Sequence, residues 1–263
     1  MYKYLNTILM KHILLLLIAL FILNSCATKK EILYFQDSEH YNKTPISYTR
    51  PTIQPNDILK ITVRALVEEL ARPYNRTPVG NSQSGGSTEM MKLEGYLVSE
   101  NNTINFPQLG KIYTKDKTTQ QLEEELTRLL EDGDHLKNPT VNVRLINAKV
   151  TILGEVSGPG TYDFAEESIT LLQALGLAGD LTINGKREDI LVVRETDGVY
   201  NTAHVDLTSA QLLTSPYYLI KPNDVIMVNP NGPKIKSSGF VGNVGTFISV
   251  FSIVLSTVLL ITR

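Results

Sequence analysis

What this chain lacks narrows its chemistry first. Its one cysteine is Cys26, so no intramolecular disulfide can form, and an unmodified lone thiol would be a liability in an oxidising compartment. Histidine is scarce as well. Of four, His12 lies in an N-terminal apolar stretch and His40 in a polar one, while His135 and His204 stand apart from any ligand-like spacing, so no metal site is expected. The glycine-rich stretch Gly154 to Gly160 lacks the Gly-Lys-Ser/Thr ending that a phosphate cradle requires and reads as a turn. Glu123, Glu124 and Glu125 read as the solvated face of a helix. Asp57 and Asp224 sit at turns before strands, where a carboxylate accepts local backbone N–H bonds. No catalytic residue and no cofactor follow from these patterns. A basic excess is missing too: removing residues 1–25 takes away Lys3 and Lys11 and lowers the formal net charge from −2 to −4, which argues against a nucleic-acid partner. The absence of tryptophan, beside 17 glycines, fits a β-rich body with many turns.

What is present is concentrated at the two ends. Lys3 and Lys11 form a short basic region, and an apolar run from Ile13 to Leu23 closes on Leu23-Asn24-Ser25-Cys26. Eleven apolar residues are too few to span a bilayer core of about 30 Å, so residues 1–25 read as a secretion signal. The closing tetrapeptide resembles a bacterial lipobox, which makes Cys26 the expected lipidation site and the outer membrane the expected anchor. Lys29 and Lys30 follow where some surface-exported lipoproteins carry acidic residues, so the body is expected in the periplasm. At the other end, Val241 to Thr262 carries no charge and is followed by Arg263; as a helix it reaches about 33 Å, enough to cross a membrane. Within it Thr246, Ser249, Ser252, Ser256 and Thr257 fall in an arc of roughly 140°, with Phe251 and Leu255 opposite and Ile253 and Leu260 interrupting the polar face. Two readings stand. The small residues pack against a partner helix, or Thr246, Ser249, Ser252 and Ser256 line a hydrated lumen. The second requires a closed homo-oligomer, since one helix cannot enclose a pore.

Between the ends, residues 26–50 are polar and poorly periodic and read as a lipid-proximal tether. A first domain is expected over 51–147. It opens with the turn Gln54-Pro55-Asn56-Asp57 into the alternating strand Ile58 to Arg64; Arg72 to Thr88 reads as a surface loop, and short strands cover Gly95 to Ser99, Thr103 to Phe106 and Lys111 to Thr114. Thr118 and Gln121 match a capping box that starts a helix with Leu122, Leu126, Leu129 and Leu130 on one side, and Val141, Val143 and Leu145 alternate as a further strand. A second unit is expected over 148–230: a strand from Val150 to Leu153, a helix from Ser168 to Ala178 stopped by Gly179, strands Ile190 to Arg194 and Val199 to Val205 around an Asp197-Gly198 turn, and one or two helical turns within Asp206 to Leu213. Pro222-Asn223-Asp224 repeats the pattern of Pro55-Asn56-Asp57 before a last strand. Residues 231–263 hold a breaker cluster and the terminal helix. The fold class is α+β.

The ordered set Gln54-Pro55-Asn56-Asp57-Ile58-Leu59, Phe106-Pro107-Gln108-Leu109-Gly110, Leu153-Gly154-Glu155-Val156 with Pro159-Gly160, Leu171-Leu172-Gln173-Ala174-Leu175 with Ala178-Gly179, and Pro222-Asn223-Asp224 resembles the Wza-type outer-membrane polysaccharide export family. The resemblance spans about residues 50–230. It implies an export-protein N-domain, one soluble-ligand-binding β-grasp (SLBB) domain, and a C-terminal transmembrane helix that joins its copies in a ring, an octamer in the family. It further implies a capsular or extracellular polysaccharide as the substrate and an inner-membrane co-polymerase as partner, either a Wzc-like tyrosine kinase or a chain-length regulator. The competing reading is a membrane-anchored periplasmic scaffold that binds glycan or protein through its β-grasp domain without forming a pore.

Overall fold

Alternating apolar residues build the first sheet. In the computed structural model, which describes residues 32–41, 50–76, 88–196, 198–238 and 244–261, strand β1 (Ile58–Arg64) turns Leu59, Ile61 and Val63 inward. The chain then runs through one helical turn, α1 (Glu68–Ala71), a 3-10 turn (Arg72–Tyr74), helix α2 (Thr88–Glu94), and strands β2 (Tyr96–Leu97), β3 (Thr103–Phe106) and β4 (Gly110–Tyr113). Helix α3 (Thr119–Asp132) and strand β5 (Thr140–Leu145) complete the unit. The sheet has the order β2-β1-β5, antiparallel throughout, with Lys60 opposite Arg144 and Arg64 opposite Thr140. The expected capping box is present: Thr118 accepts from the Gln121 N–H, and Gln121 reaches back to the Thr118 N–H. Leu122, Leu126 and Leu130, one helical turn apart, are wholly buried against the sheet, and the β3–β4 hairpin adds Ile104, Phe106 and Ile112 to the same core.

A second core forms around Val150, Ile152, Leu171, Leu175, Val192 and Ile226. Its elements are β6 (Lys149–Gly154), β7 (Gly160–Asp163), β8 (Ile169–Thr170), α4 (Leu171–Leu177), β9 (Gly185–Thr196), β10 (Val199–Val205), a 3-10 turn (Ala210–Thr214), β11 (Leu219–Ile220) and β12 (Val225–Pro230). The five-stranded sheet runs β10-β9-β12-β6-β7. Its first and last strands in sequence, β6 and β12, are parallel neighbours, and every other pair is antiparallel. Gly154 makes this closure possible. Its φ is +91°, and a Cβ there would lie 2.0 Å from the Val228 carbonyl oxygen. Helices α5 (Gly232–Ser238) and α6 (Val244–Ile261) follow. The mixed helix and strand content is that of an α+β chain.

Several expectations need correcting. The helix expected from Ser168 begins at Leu171, because Ile169 and Thr170 pair with Ile220 and Leu219 and a second capping box, Thr170 with Gln173, fixes the start. Within the loop expected at 72–88, Arg72–Tyr74 is a 3-10 turn, Thr88 opens α2, and residues 77–87 lie outside the described residues. The expected tether is not free where it is described, since residues 32–41 dock on the second unit. At the C-terminus the helix α6 has 18 residues rather than the 22 of the uncharged segment. That is about 27 Å, and among the described residues no helix is long and apolar enough to cross a membrane.

Candidate functional site

Of the residues singled out in the sequence, Cys26 lies outside the described residues, as does the Thr246 side chain. The other three come together. Ser252 and Ser256 share one shallow groove of α6 with Ile253, Thr257 and Leu260, and Ser249 is within the same arc. Their hydroxyls have a particular chemistry. Ser249 Oγ donates to the Gly245 carbonyl at 2.8 Å and Thr257 Oγ1 to the Ile253 carbonyl at 2.8 Å, so each saturates its donor on the helix's own backbone while a lone pair stays available to a neighbour. Around the rest of the helix Ile248, Val250, Phe251 and Leu255 are exposed.

The segment before the first sheet is tied to the second unit through groups far apart in sequence. Backbone N–H groups of Phe35 and Gln36 donate to the carbonyls of Leu207 and Thr208 at 3.2 and 2.7 Å, and the Asp37 carboxylate receives the Ser209 hydroxyl and the Ala210 N–H. The Ala210 N–H, with the Ser209 hydroxyl second, holds the Asp37 carboxyl below the usual carboxylate range. Tyr34 donates to Asp180, with the Arg187 guanidinium 5.5 Å from its ring centre; burial first, and that hydrogen bond second, pushes the phenol well up. Nothing in the polar, aperiodic sequence of this strap signalled these partners.

The repeated Pro-Asn-Asp pattern produces the same turn twice. Asn56 and Asn223 both adopt left-handed conformations, φ +69° and +68°, and each following aspartate accepts the backbone N–H three residues earlier, Gln54 to Asp57 and Lys221 to Asp224, both at 2.8 Å. The surroundings differ. Asp224, 1% exposed, is gripped by Arg194 through Nε at 2.9 Å and Nη2 at 2.6 Å, while the same guanidinium donates to the Leu219 and Pro216 carbonyls. Asp57 is 4% exposed and has no such cation among the described residues, and burial pushes its carboxyl up to about 6 against the pull of the Gln54 N–H. It lines a cavity of about 540 Å³ between the two units, floored by Leu59, Val143 and Leu145, with Arg144, Glu123 and Glu166 on its walls. Glu123 is occupied, its Oε1 accepting the Val143 N–H at 2.7 Å and so capping the open edge of β5. His204 pairs with Asp189, and His135 packs edge-on to Tyr74. Among the described residues no group of three His, Cys, Asp or Glu could hold a metal ion.

Two family models match the chain. Residues 47–146 match the polysaccharide biosynthesis/export protein family and residues 148–228 the SLBB domain family. The EPS I polysaccharide export outer membrane protein EpsA of Ralstonia solanacearum is 28% identical over 183 residues, covering 68% of this chain and 47% of the relative. A protein of the same description from Ralstonia nicotianae is 28% identical over 184 residues, covering 67% and 46%. The chain thus spans about half the length of the curated relatives it matches. The matched family is one of export proteins, not of enzymes. With both domains in family order, and the Pro-Asn-Asp turns and the Leu153-Gly154-Glu155-Val156 turn that carried the resemblance now seen as built structure, this chain belongs to the Wza-type polysaccharide export protein family.

Proposed function

We propose that this chain is a subunit of an outer-membrane channel that passes capsular or extracellular polysaccharide from the periplasm to the cell surface. Residues 51–147 serve as the export domain and 148–230 as the SLBB domain. Cys26 carries the lipid, and residues within 241–262 cross the outer membrane in a closed ring of copies. Transport is passive at this protein, with directionality supplied by synthesis and an inner-membrane co-polymerase. The observation that carries the reading is α6, where Ser252 and Ser256 share a groove with Thr257 and Ser249 falls in the same arc of a mostly apolar helix. In a ring, those faces turned inward form an uncharged, hydrated wall that a hydrophilic polymer can slide along without tight binding. The placement of the strap supports the same arrangement. Ile32 is six residues from Cys26, at most about 20 Å of extended chain, so the lipid and the terminal helix both leave the second domain, which then lies against the membrane with the first domain projecting away from it.

The scaffold reading has its own support in the back-bonded hydroxyls of Ser249 and Thr257, which need no lumen water and suit a packed anchor. One experiment separates the two. Replacing Ser252 and Ser256 with Leu leaves insertion intact, because Leu is favourable at bilayer depth, and lowers surface polysaccharide because the wall dewets. Phe251→Ser with Leu255→Ser impairs anchoring instead. Normal export by the Ser252/Ser256 double variant, present at equal level in the outer membrane and inaccessible to water-soluble thiol reagents when Cys is placed at 252, leaves the helix as an anchor alone.

A further inference from the structure

The Pro-Asn-Asp turn occurs twice, and among the described residues only one copy carries a cation. At Asp224 the buried carboxylate is answered from within the chain by Arg194, which donates from Nε at 2.9 Å and from Nη2 at 2.6 Å. Asp57 is the same residue in the same turn, 4% exposed, and its Oδ2 accepts the Gln54 N–H at 2.8 Å. Its Oδ1 accepts no hydrogen bond among the described residues. Yet it is not one of the sealed polar atoms without a partner, which are the Tyr96 hydroxyl and Arg187 Nε, so it opens onto the cavity that Asp57 lines. Where the second unit has a guanidinium, the first has a space of about 540 Å³.

The two arginines in that cavity do not serve Asp57. Arg50 pairs with Glu167 at 3.5 Å, and only burial and the Gln54 N–H move the Asp57 titration, so neither Arg50 nor Arg144 reaches it. The remaining charge favours a positive guest, since Asp57, Glu123, Glu166 and Glu167 outnumber the two guanidiniums around the same space. Glu123 accepts the Val143 N–H at 2.7 Å and Glu166 the Ala165 N–H at 3.1 Å, each through one carboxylate oxygen. Among the described residues no three His, Cys, Asp or Glu converge as metal ligands, so the acceptors suit a cation that brings its own N–H donors. The floor of Leu59, Val143 and Leu145 is apolar and suits a methylene stem. Clefts between domains at about this volume are where proteins hold small molecules.

We propose that the cavity between the two units is a binding site for a small organic cation, an alkylguanidinium or alkylammonium whose charged head pairs with the Asp57 carboxylate while its stem lies on Leu59, Val143 and Leu145. The guest completes at Asp57 the pair that Arg194 completes at Asp224. Asp57 and Glu123 come from the first unit and Glu166 from the second, so the site belongs to the whole chain and stands whether or not the chain forms a pore. It also adjoins the joint itself, where Asn147 donates to the Asn56 carbonyl at 3.0 Å and accepts the Ile58 N–H at 2.8 Å.

The test is calorimetric titration of the full-length chain in detergent with agmatine as the guanidinium probe, putrescine as the ammonium probe and neutral 1,4-butanediol as the control. The expected result at pH 7.5 is one-to-one binding of agmatine or putrescine and none of butanediol. Asp57→Asn, which keeps the shape and the acceptor for the Gln54 N–H, should weaken binding at least tenfold, and Glu188→Gln, an exposed acid on the second sheet, should leave it unchanged. A carboxyl that titrates at about 6 is about one-tenth ionised at pH 5, so affinity should fall about tenfold there, with proton release on binding. Arg50, Glu123, Arg144, Glu166 and Glu167 are the other charged groups around the cavity, and none is a histidine that would titrate across this interval. Equal binding of butanediol, binding indifferent to Asp57→Asn or to pH, or no binding of either cation overturns the proposal. Lys43 lies outside the described residues, and cation binding seen only in Lys43→Gln would mean that the chain fills the cavity itself, which overturns it too.

Discussion

The same substitution in the same turn should act in opposite directions at Asp57 and Asp224. Asp57 has no cation beside it among the described residues, and burial pushes its carboxyl up to about 6 from the ordinary 3.8. Because the folded state holds this proton more tightly than the unfolded chain, the favourable contribution is fully present below about pH 4 and is lost as pH rises through 6. The gap corresponds to about 3 kcal/mol of destabilisation once the group is ionised. Asp57→Asn keeps the shape and the acceptor for the Gln54 N–H and removes the charge, so it should stabilise the first domain by up to about 3 kcal/mol at pH 8 and by almost nothing at pH 4. In a domain of this size each kcal/mol moves Tm by about 4–8 °C. At Asp224 the carboxylate is neutralised by Arg194 inside the core, and Asp224→Asn strands that guanidinium; the expected loss is about 3–5 kcal/mol. Tryptophan is absent, so urea unfolding is followed by far-UV circular dichroism and the emission of the ten tyrosines that lie after residue 25, at pH 4, 6 and 8. A Asp57→Asn chain no more stable than the parent at pH 8, or equally stabilised at pH 4, refutes the burial argument, and a neutral Asp224→Asn refutes the pairing argument.

Two further outcomes are expected. Asp37→Ala removes the acceptor of the Ala210 N–H and should free the strap, raising amide hydrogen exchange at Phe35, Gln36 and Ala210 at least tenfold while the core of the second domain stays protected; unchanged exchange would mean that Tyr34 and the backbone pairs suffice. Gly154→Ala forces a Cβ into the Val228 carbonyl at a left-handed position and should cost about 2–4 kcal/mol, read as an earlier urea midpoint; a cost below about 1 kcal/mol would show that β6 and β12 separate easily.

Local signals were legible and long-range ones were not. Thr118-x-x-Gln121 announced its helix start, because a capping box is made within four residues, and Asp57 and Asp224 accept the local N–H bonds their turns suggested. The equivalent Thr170-x-x-Gln173 carries the same signal, two residues inside the helix expected from Ser168. Arg194 was placed on a strand, yet its bond to Asp224 depends on the β9–β12 register, which no window of sequence contains. The strap failed for the same reason: Tyr34 and Asp37 find partners 146 and 172 residues away, and a polar stretch without period looks identical whether it docks or drifts. The serine face of α6 was readable because helical geometry alone brings positions 249, 252 and 256 together.

The parallel pairing of β6 with β12 has a consequence for how such a protein changes length. In a domain closed by an antiparallel pair, the chain comes in and goes out at one end, and the domain hangs from the polypeptide as a side pendant. Here Thr151 faces Val225 and Gly154 faces Val228, so both strands point the same way and the chain arrives at one pole and departs from the other. The domain is a link in series. Another unit of this kind inserted after Pro230 would carry the terminal helix farther from the first domain by the height of one sheet, roughly 20 Å for a strand of this length, without disturbing either neighbour. Reach becomes a matter of counting links.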